Sequence, residues 1–210
     1  MKKYDLYLFD FDGTLVDSFD SLTDIFVLSF REVGVEIDPK MVKKYSRQPL
    51  FDTYKEVNAP MGKMDIFANA INKYLDDKEV LKKTKTYSET MDFMAFLKQN
   101  HIKCGIVTSN SERHVKDVLD LFNIDHDIFA IYVDHSKVEE SKPSPKPILY
   151  ALKEMGYLDK KEKVVYVGDG LNDALSAFNA GVDAVIVDRD NSFPNDVRYD
   201  LIYNLFDLFK

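Results

Sequence analysis

The sequence predicts an α/β fold, a doubly wound parallel sheet with a small helical insertion. From Ser88 onward, apolar β-like runs alternate with amphipathic helical segments, the pattern of a parallel sheet covered by helices on both faces. Three of the apolar runs end abruptly in aspartates or hydroxyl residues, and ligands of such sheets bind outside the carboxyl ends of the strands. From Asp17 to Lys83 the alternation stops and apolar residues recur every three or four positions, which reads as helices. The expected division is a core of residues 1–16 and 84–210 and a helical insertion of residues 17–83.

The first strand lies in Tyr4–Ser18, YDLYLFDFDGTLVDS, where an apolar run delivers Asp10 and Asp12 into a Gly-Thr turn. Burying one unpaired carboxylate is unfavourable and crowding two is worse, so packing is a poor reason to place them there and a divalent cation resolves the conflict. Strand residues two apart share a face, so both can serve one site if the extended conformation persists to Asp12. A turn-favouring Asp-Gly followed by a capping Asp17 or Ser18 accounts for the same residues without chemistry.

In the insertion, SLTDIFVLSFREVG, PKMVKKYS and MDIFANAINKYLDD carry helical spacing, and the basic KEVLKKTKTYS reads as a loop-like return. The helix SETMDFMAFLKQN then leads into HIKCGIVTSN, a strand ending in Thr108, Ser109 and Asn110, followed by the amphipathic SERHVKDVLDLF. A strand-to-helix junction rich in hydroxyls and backbone N–H groups suits an anion, while Ser111 also serves as a plain N-cap. After a strand near FAIYVD, Lys142 stands in SKPSPKPILYAL, where three prolines stiffen the chain, fix where the lysine points and start a helix near Pro145. A rigid surface linker reads the same way.

The run KVVYVGDGLND places Asp169 in a loop and Asp173 one helical turn later, so both can face a common point, although Asp173 also suits the helix macrodipole. That helix stops at Gly181, a strand DAVIVD follows, and the tail LIYNLFDLFK reads as a final amphipathic helix.

A chain of 210 residues, 45% hydrophobic and 30% charged, can bury a substantial core. With 28 basic and 36 acidic side chains the net charge is −8, which provides no general footprint for nucleic acid, so an anionic substrate must be attracted locally. Cys104 cannot form an internal disulfide and is expected to pack as a small hydrophobe in a reducing compartment. No apolar run approaches a membrane span and the amino terminus lacks a signal-peptide core, which points to a cytoplasmic protein, and the expected assembly is a monomer or a homodimer. His101, His114, His126 and His135 show no ligand-like pairing and read as surface or core residues.

Taken in order, DFDGTLVDS, VTSN, KPSPKP and VGDGLND resemble the four motifs of the haloacid dehalogenase-like (HAD) hydrolase superfamily over most of the chain. KPSPKPILYAL and VVYVGDGLNDALSAFNAGVDAVIV resemble the phosphoglycolate phosphatase-like branch, and RQPLFDTYKEV is similar to its cap segment.

The resemblance implies a Rossmann-like core with a helical cap, and Mg2+-dependent hydrolysis of a small phosphorylated metabolite through an aspartyl-phosphate. Asp10 is then the nucleophile and Asp12 the general acid and base. Asp10 and Asp169 hold the metal with the Asp12 carbonyl, and Asp173 acts directly or through a water. Lys142 adds a positive charge. Thr108 donates its hydroxyl to a phosphoryl oxygen beside the N–H groups of Gly13 and Ser109, with Asn110 in the same loop. Arg47 and Gln48 are the cap residues to consider for a substrate carboxylate or second phosphate. An acid at Asp12 disfavours carbon–halogen cleavage. A hexose-phosphate mutase or an inorganic pyrophosphatase uses the same motifs, and a receiver-like phosphate sensor needs neither Asp12 nor the insertion.

Overall fold

A computed structural model describes residues 2–46, 48 and 50–210. The chain divides into two compact units, Met1–Val16 with Thr86–Lys210, and Asp17–Lys85. In chain order, β1 (Leu6–Phe9) and β2 (Val16–Asp17) precede α1 (Phe19–Glu32), α2 (Val42–Tyr45), α3 (Leu50–Glu56), α4 (Met64–Leu75) and α5 (Lys78–Leu81). The chain returns through β3 (Lys85–Thr86), which pairs with β2. Then follow α6 (Thr90–Gln99), β4 (Cys104–Val107), α7 (Glu112–Leu121), β5 (Tyr132–Val133), α8 (Lys146–Met155), β6 (Val164–Gly168), α9 (Leu171–Ala180), β7 (Asp183–Val187) and β8 (Asp200–Ile202).

The larger unit is built on a six-stranded sheet in the order β5-β4-β1-β6-β7-β8, with every pairing parallel. Strands β1, β4 and β6 are buried at every residue, which is why they read as unbroken apolar runs rather than as alternating ones. Register decides what these strands present. Phe9 lies beside Ile106 of β4 on one side and Val167 of β6 on the other, so the three strands end level. With neighbouring strands about 4.8 Å apart, the residues just past those ends are forced together. Cys104 lies in this core, where burial pushes its thiol up to about 12 and leaves it a packing residue.

The helical unit has its own core. Phe30 of α1, Tyr54 of α3 and Phe67 of α4 meet with ring centroids 4.4 to 6.1 Å apart, and the Tyr54 hydroxyl donates to Pro60 O at 2.6 Å. Each such ring pair contributes about 0.5–1.5 kcal/mol beyond the area it buries.

Three local expectations are corrected. The extended run of β1 stops at Phe9, and Asp12 lies beyond it in an isolated bridge to Val16, because Phe11 O accepts from Leu15 N and the chain turns at Gly13 with φ of +79°. The return KEVLKK contains α5, started by the Asp77 side chain accepting from Glu79 N. The tail is not an α-helix, since β8 extends the sheet and Leu205–Phe209 form a 3-10 turn. Phe206 and Phe209 of that turn pack on Phe96 at 5.6 and 4.9 Å. Among the described residues no helix is long and apolar enough to cross a membrane.

Candidate active site

The site is assembled at the level strand ends of the α/β unit. Asp10 follows β1 and keeps one sheet bond, its N–H donating to Val167 O at 2.8 Å, so its side chain is fixed by the sheet itself. Asp169 follows β6, and Asp173 sits in the first turn of α9, where its Oδ2 accepts from Gly170 N at 3.0 Å and closes that helix start. One carboxylate oxygen from each of Asp10, Asp169 and Asp173 falls within 4.8 Å of the others.

Lys142 enters this cluster from the segment preceding α8. Its Nζ is 2.8 Å from Asp10 Oδ1, 2.6 Å from Asp173 Oδ1 and donates to the Tyr166 hydroxyl at 3.1 Å, so all three ammonium protons are used. The Tyr166 hydroxyl in turn donates to Val107 O at 2.8 Å. Burial pushes the Asp10 carboxyl up to about 8, with Lys142 pulling against it and Asp173 and Asp169 adding to it. Burial works against the Lys142 charge, but Asp10 and Asp173 hold it well above its ordinary value. Ionised, the three carboxylates and one ammonium leave two negative charges in excess, the charge of one divalent cation.

The backbone makes room for this crowding with two glycines. A Cβ on Gly13 would lie 2.6 Å from Asp169 Oδ2, and one on Gly168 would lie 2.3 Å from Asp173 Cγ. The all-oxygen donor set of Asp10, Asp169 and Asp173 fits a hard, oxygen-seeking divalent cation. Both Asp173 oxygens already have protein partners, which suits contact through a water. Gly168→Ala is expected to push the first turn of α9 outward, lowering turnover on the order of 10²-fold. The same overpacking is expected to reduce stability by about 1–3 kcal/mol, checked by thermal melting beside activity.

Asp12 stands apart from the ion-pair cluster. Its Oδ2 accepts from Asn110 Nδ2 at 2.6 Å, so the Asn110 amide is directed at this carboxylate, and His114 Nε2 lies 3.6 Å from Oδ1. Thr108, held to the sheet through its N–H to Val133 O, accepts from Asn110 N at Oγ1 and, with Ser109 and Lys142, lines one small pocket. Two residues at the site escaped sequence reading, Tyr166 and His114, and Asn110, expected to bind substrate, instead directs its amide at Asp12. A tyrosine in an unbroken apolar run is a usable signal, because its hydroxyl needs a buried partner. His114, 2% exposed on α7, occupies an ordinary core position of an amphipathic helix.

In the helical unit, Gln48 Nε2 donates to Thr53 Oγ1 at 2.9 Å and to Glu56 Oε2 at 3.1 Å, which occupies its amide within that unit. Arg47 lies outside the described residues.

Comparison with known proteins gives this geometry a family. The sequence model of the haloacid dehalogenase-like hydrolases matches residues 7–187. A protein of Caldanaerobacter subterraneus subsp. tengcongensis named for pyrophosphatase PpaX is 32% identical over 181 residues, 86% of this chain and 80% of that one. The phosphoglycolate phosphatase of Aquifex aeolicus is 30% identical over 175 residues, 83% of this chain and 80% of that one. The crystal structure of a haloacid dehalogenase-like protein from Bacteroides fragilis superposes with a TM-score of 0.83 at 25% identity, covering 98% of this chain and 100% of that one. The match across residues 7–187 runs from within β1 through the end of β7 and takes in all the clustered side chains, and the chain belongs to the haloacid dehalogenase-like hydrolases.

Proposed function

We propose that the protein is a Mg2+-dependent phosphatase that hydrolyses a small phosphate monoester of the phosphoglycolate type through an aspartyl-phosphate on Asp10. The observation that carries this reading is the convergence of Asp10, Asp169 and Asp173 within 4.8 Å around Lys142, with Asp12 held separately by Asn110. The reading places the protein in the cytoplasm, as a monomer or homodimer.

Lys142 occupies Asp10 Oδ1 and keeps the carboxylate oriented, and the other oxygen attacks phosphorus. As the new O–P bond forms, the bond from phosphorus to the leaving oxygen breaks, and Asp12 passes its proton to that oxygen. Asp12, now ionised, takes a proton from water. The resulting hydroxide attacks phosphorus, the Asp10–phosphorus ester bond breaks, and inorganic phosphate leaves with Asp12 protonated again. The Thr108 hydroxyl and the Ser109 N–H donate to the phosphoryl oxygens, whereas the Gly13 N–H, expected from sequence to join them, is committed to Val16 O at 2.8 Å by the turn. Mg2+, when bound, offsets the repulsion between the carboxylates and an incoming phosphate.

Relatives named for pyrophosphatase PpaX and for phosphoglycolate phosphatase make pyrophosphate the second substrate to test. The test is phosphate release from phosphoglycolate, sugar phosphates, nucleotides, pyrophosphate and p-nitrophenyl phosphate, with Mg2+ or with EDTA. The expected outcome is release that disappears with EDTA and is fastest on phosphoglycolate. Fastest release from pyrophosphate reassigns the substrate, and no release from any compound overturns the phosphatase reading.

A further inference from the structure

The turn that follows Asp12 is gripped from its outer side by residues that the catalytic reading leaves unused. Gly13, Thr14 and Leu15 present consecutive carbonyls, and each accepts from a different side chain. Tyr87 Oη donates to Gly13 O at 3.0 Å, Arg189 Nη2 to Thr14 O at 3.0 Å and Thr90 Oγ1 to Leu15 O at 2.8 Å. Arg189 ties the group together, with Nη1 donating to Glu89 Oε1 at 2.6 Å and the guanidinium lying 3.4 Å from the centroid of the Tyr87 ring. Both charges are largely out of water, at 18% and 7% side-chain exposure. Burial opposes ionisation of Glu89, yet its bond to Arg189 holds its carboxyl below the usual range. A buried ion pair is a poor source of net stability, so its placement on this turn calls for another reason.

The inner side of the same turn supplies that reason. Gly13 is so close to Asp169 that a side chain there would collide with the carboxylate, and Asp12 immediately precedes it. A shift of this turn by a fraction of an ångström therefore changes the spacing between Asp12, Gly13 and Asp169 together. We propose that Arg189 is a positioning residue for catalysis, which acts with Glu89 and Tyr87 to hold the Gly13–Leu15 turn at the distance from Asp169 that the reaction requires. The kinetic part of this proposal rests on the phosphatase reading, whereas the mechanical part does not.

The test therefore pairs two readouts on Arg189→Ala, Arg189→Lys and Tyr87→Phe. In kinetics, Arg189→Ala is expected to lower kcat on the order of tenfold to a hundredfold. KM is expected to stay within about twofold, since the lost contact lies behind the turn rather than on the substrate. Arg189→Lys, which keeps the charge but loses the planar fork that bridges Glu89 and Thr14 O, falls between wild type and Arg189→Ala. Tyr87→Phe keeps the ring beneath Arg189 and loses one carbonyl bond, giving a smaller fall in kcat. In amide hydrogen exchange followed by NMR, protection of the Gly13–Leu15 amides is expected to drop by about tenfold or more while β1 and β4 keep theirs.

If Arg189→Ala does not fold, Arg189→Lys and Tyr87→Phe carry the same comparison. Unchanged kcat in the folded variants, or exchange that rises evenly through the sheet, overturns the proposal and leaves Arg189 a stabilising residue. A wild type that hydrolyses nothing sinks the phosphatase reading instead, and the exchange pattern still decides whether the turn is clamped.

Discussion

Asp10→Asn is expected to lower phosphate release by about 10⁴-fold or more at saturating substrate, because Asp10 carries the covalent ester in the proposed reaction. The substitution keeps the shape of the side chain and its sheet bond to Val167 O, so the loss reports chemistry rather than unfolding. Stability moves the other way or not at all. A carboxyl raised by burial from its unfolded value to about 8 disfavours the fold at every pH above the unfolded value, increasingly until the folded value is passed. The amide carries no such burden, and Lys142 keeps its contact with Asp173 at 2.6 Å. The metal-free variant is therefore expected to melt at or above the wild-type temperature near pH 7, with the difference fading toward pH 4. Turnover within tenfold of wild type in a correctly folded Asp10→Asn protein eliminates Asp10 as the nucleophile.

Lys142→Met carries the second large effect, on stability and rate together. The methionine fills most of the lysine stem but leaves Asp10 and Asp173 facing each other with Asp169 nearby, all without their ammonium. Breaking a buried pair by removing one partner typically costs about 3–5 kcal/mol, and here one lysine serves two carboxylates and a tyrosine hydroxyl. Metal-free protein is expected to lose at least ~3 kcal/mol in denaturant melts at pH 7. Mg2+ should restore part of that loss, since a cation answers the same repulsion. Turnover is expected to fall by about 10²–10³-fold even with metal, because the orientation of Asp10 Oδ1 is lost. Denaturation midpoints indistinguishable from wild type would show that the carboxylates do not depend on Lys142.

Much of the α/β unit was legible because its central strands are buried on both faces. That condition writes itself into the sequence as short unbroken apolar runs, such as LYLF and VVYVG. Aspartates stood out at those ends because neither strand nor core has a use for them, and the register of β1 against β4 and β6 then brings Asp10, Thr108 and Asp169 to one edge. Short elements were not legible. Strand β8 has three residues, too few to show a period of two, and it lies beside a tail whose apolar spacing suits a helix. Partnerships across the chain were equally hidden: Arg189 sits in a polar DRD run that resembles any loop, and Glu89, its partner, is a hundred residues earlier. His114 and Tyr166 occupy positions where apolar residues satisfy the same periodicity, so only three-dimensional neighbours reveal their polar contacts.

The placement of β1 between β4 and β6 has a consequence for the order in which the protein can fold. Strand β1, which leads to Asp10, precedes both of its neighbours, which begin at Cys104 and Val164, so it stays unpaired until β4 is made and half-paired until β6 follows. The Phe30, Tyr54 and Phe67 core, by contrast, closes within residues 17–85. Local contacts form quickly and distant parallel pairings slowly, because loop closure precedes any gain from the strand contacts. The helical unit is therefore set to form during synthesis, and Asp10 acquires Asp169 and Asp173 as neighbours only in the last stage, when β6 and α9 join the sheet.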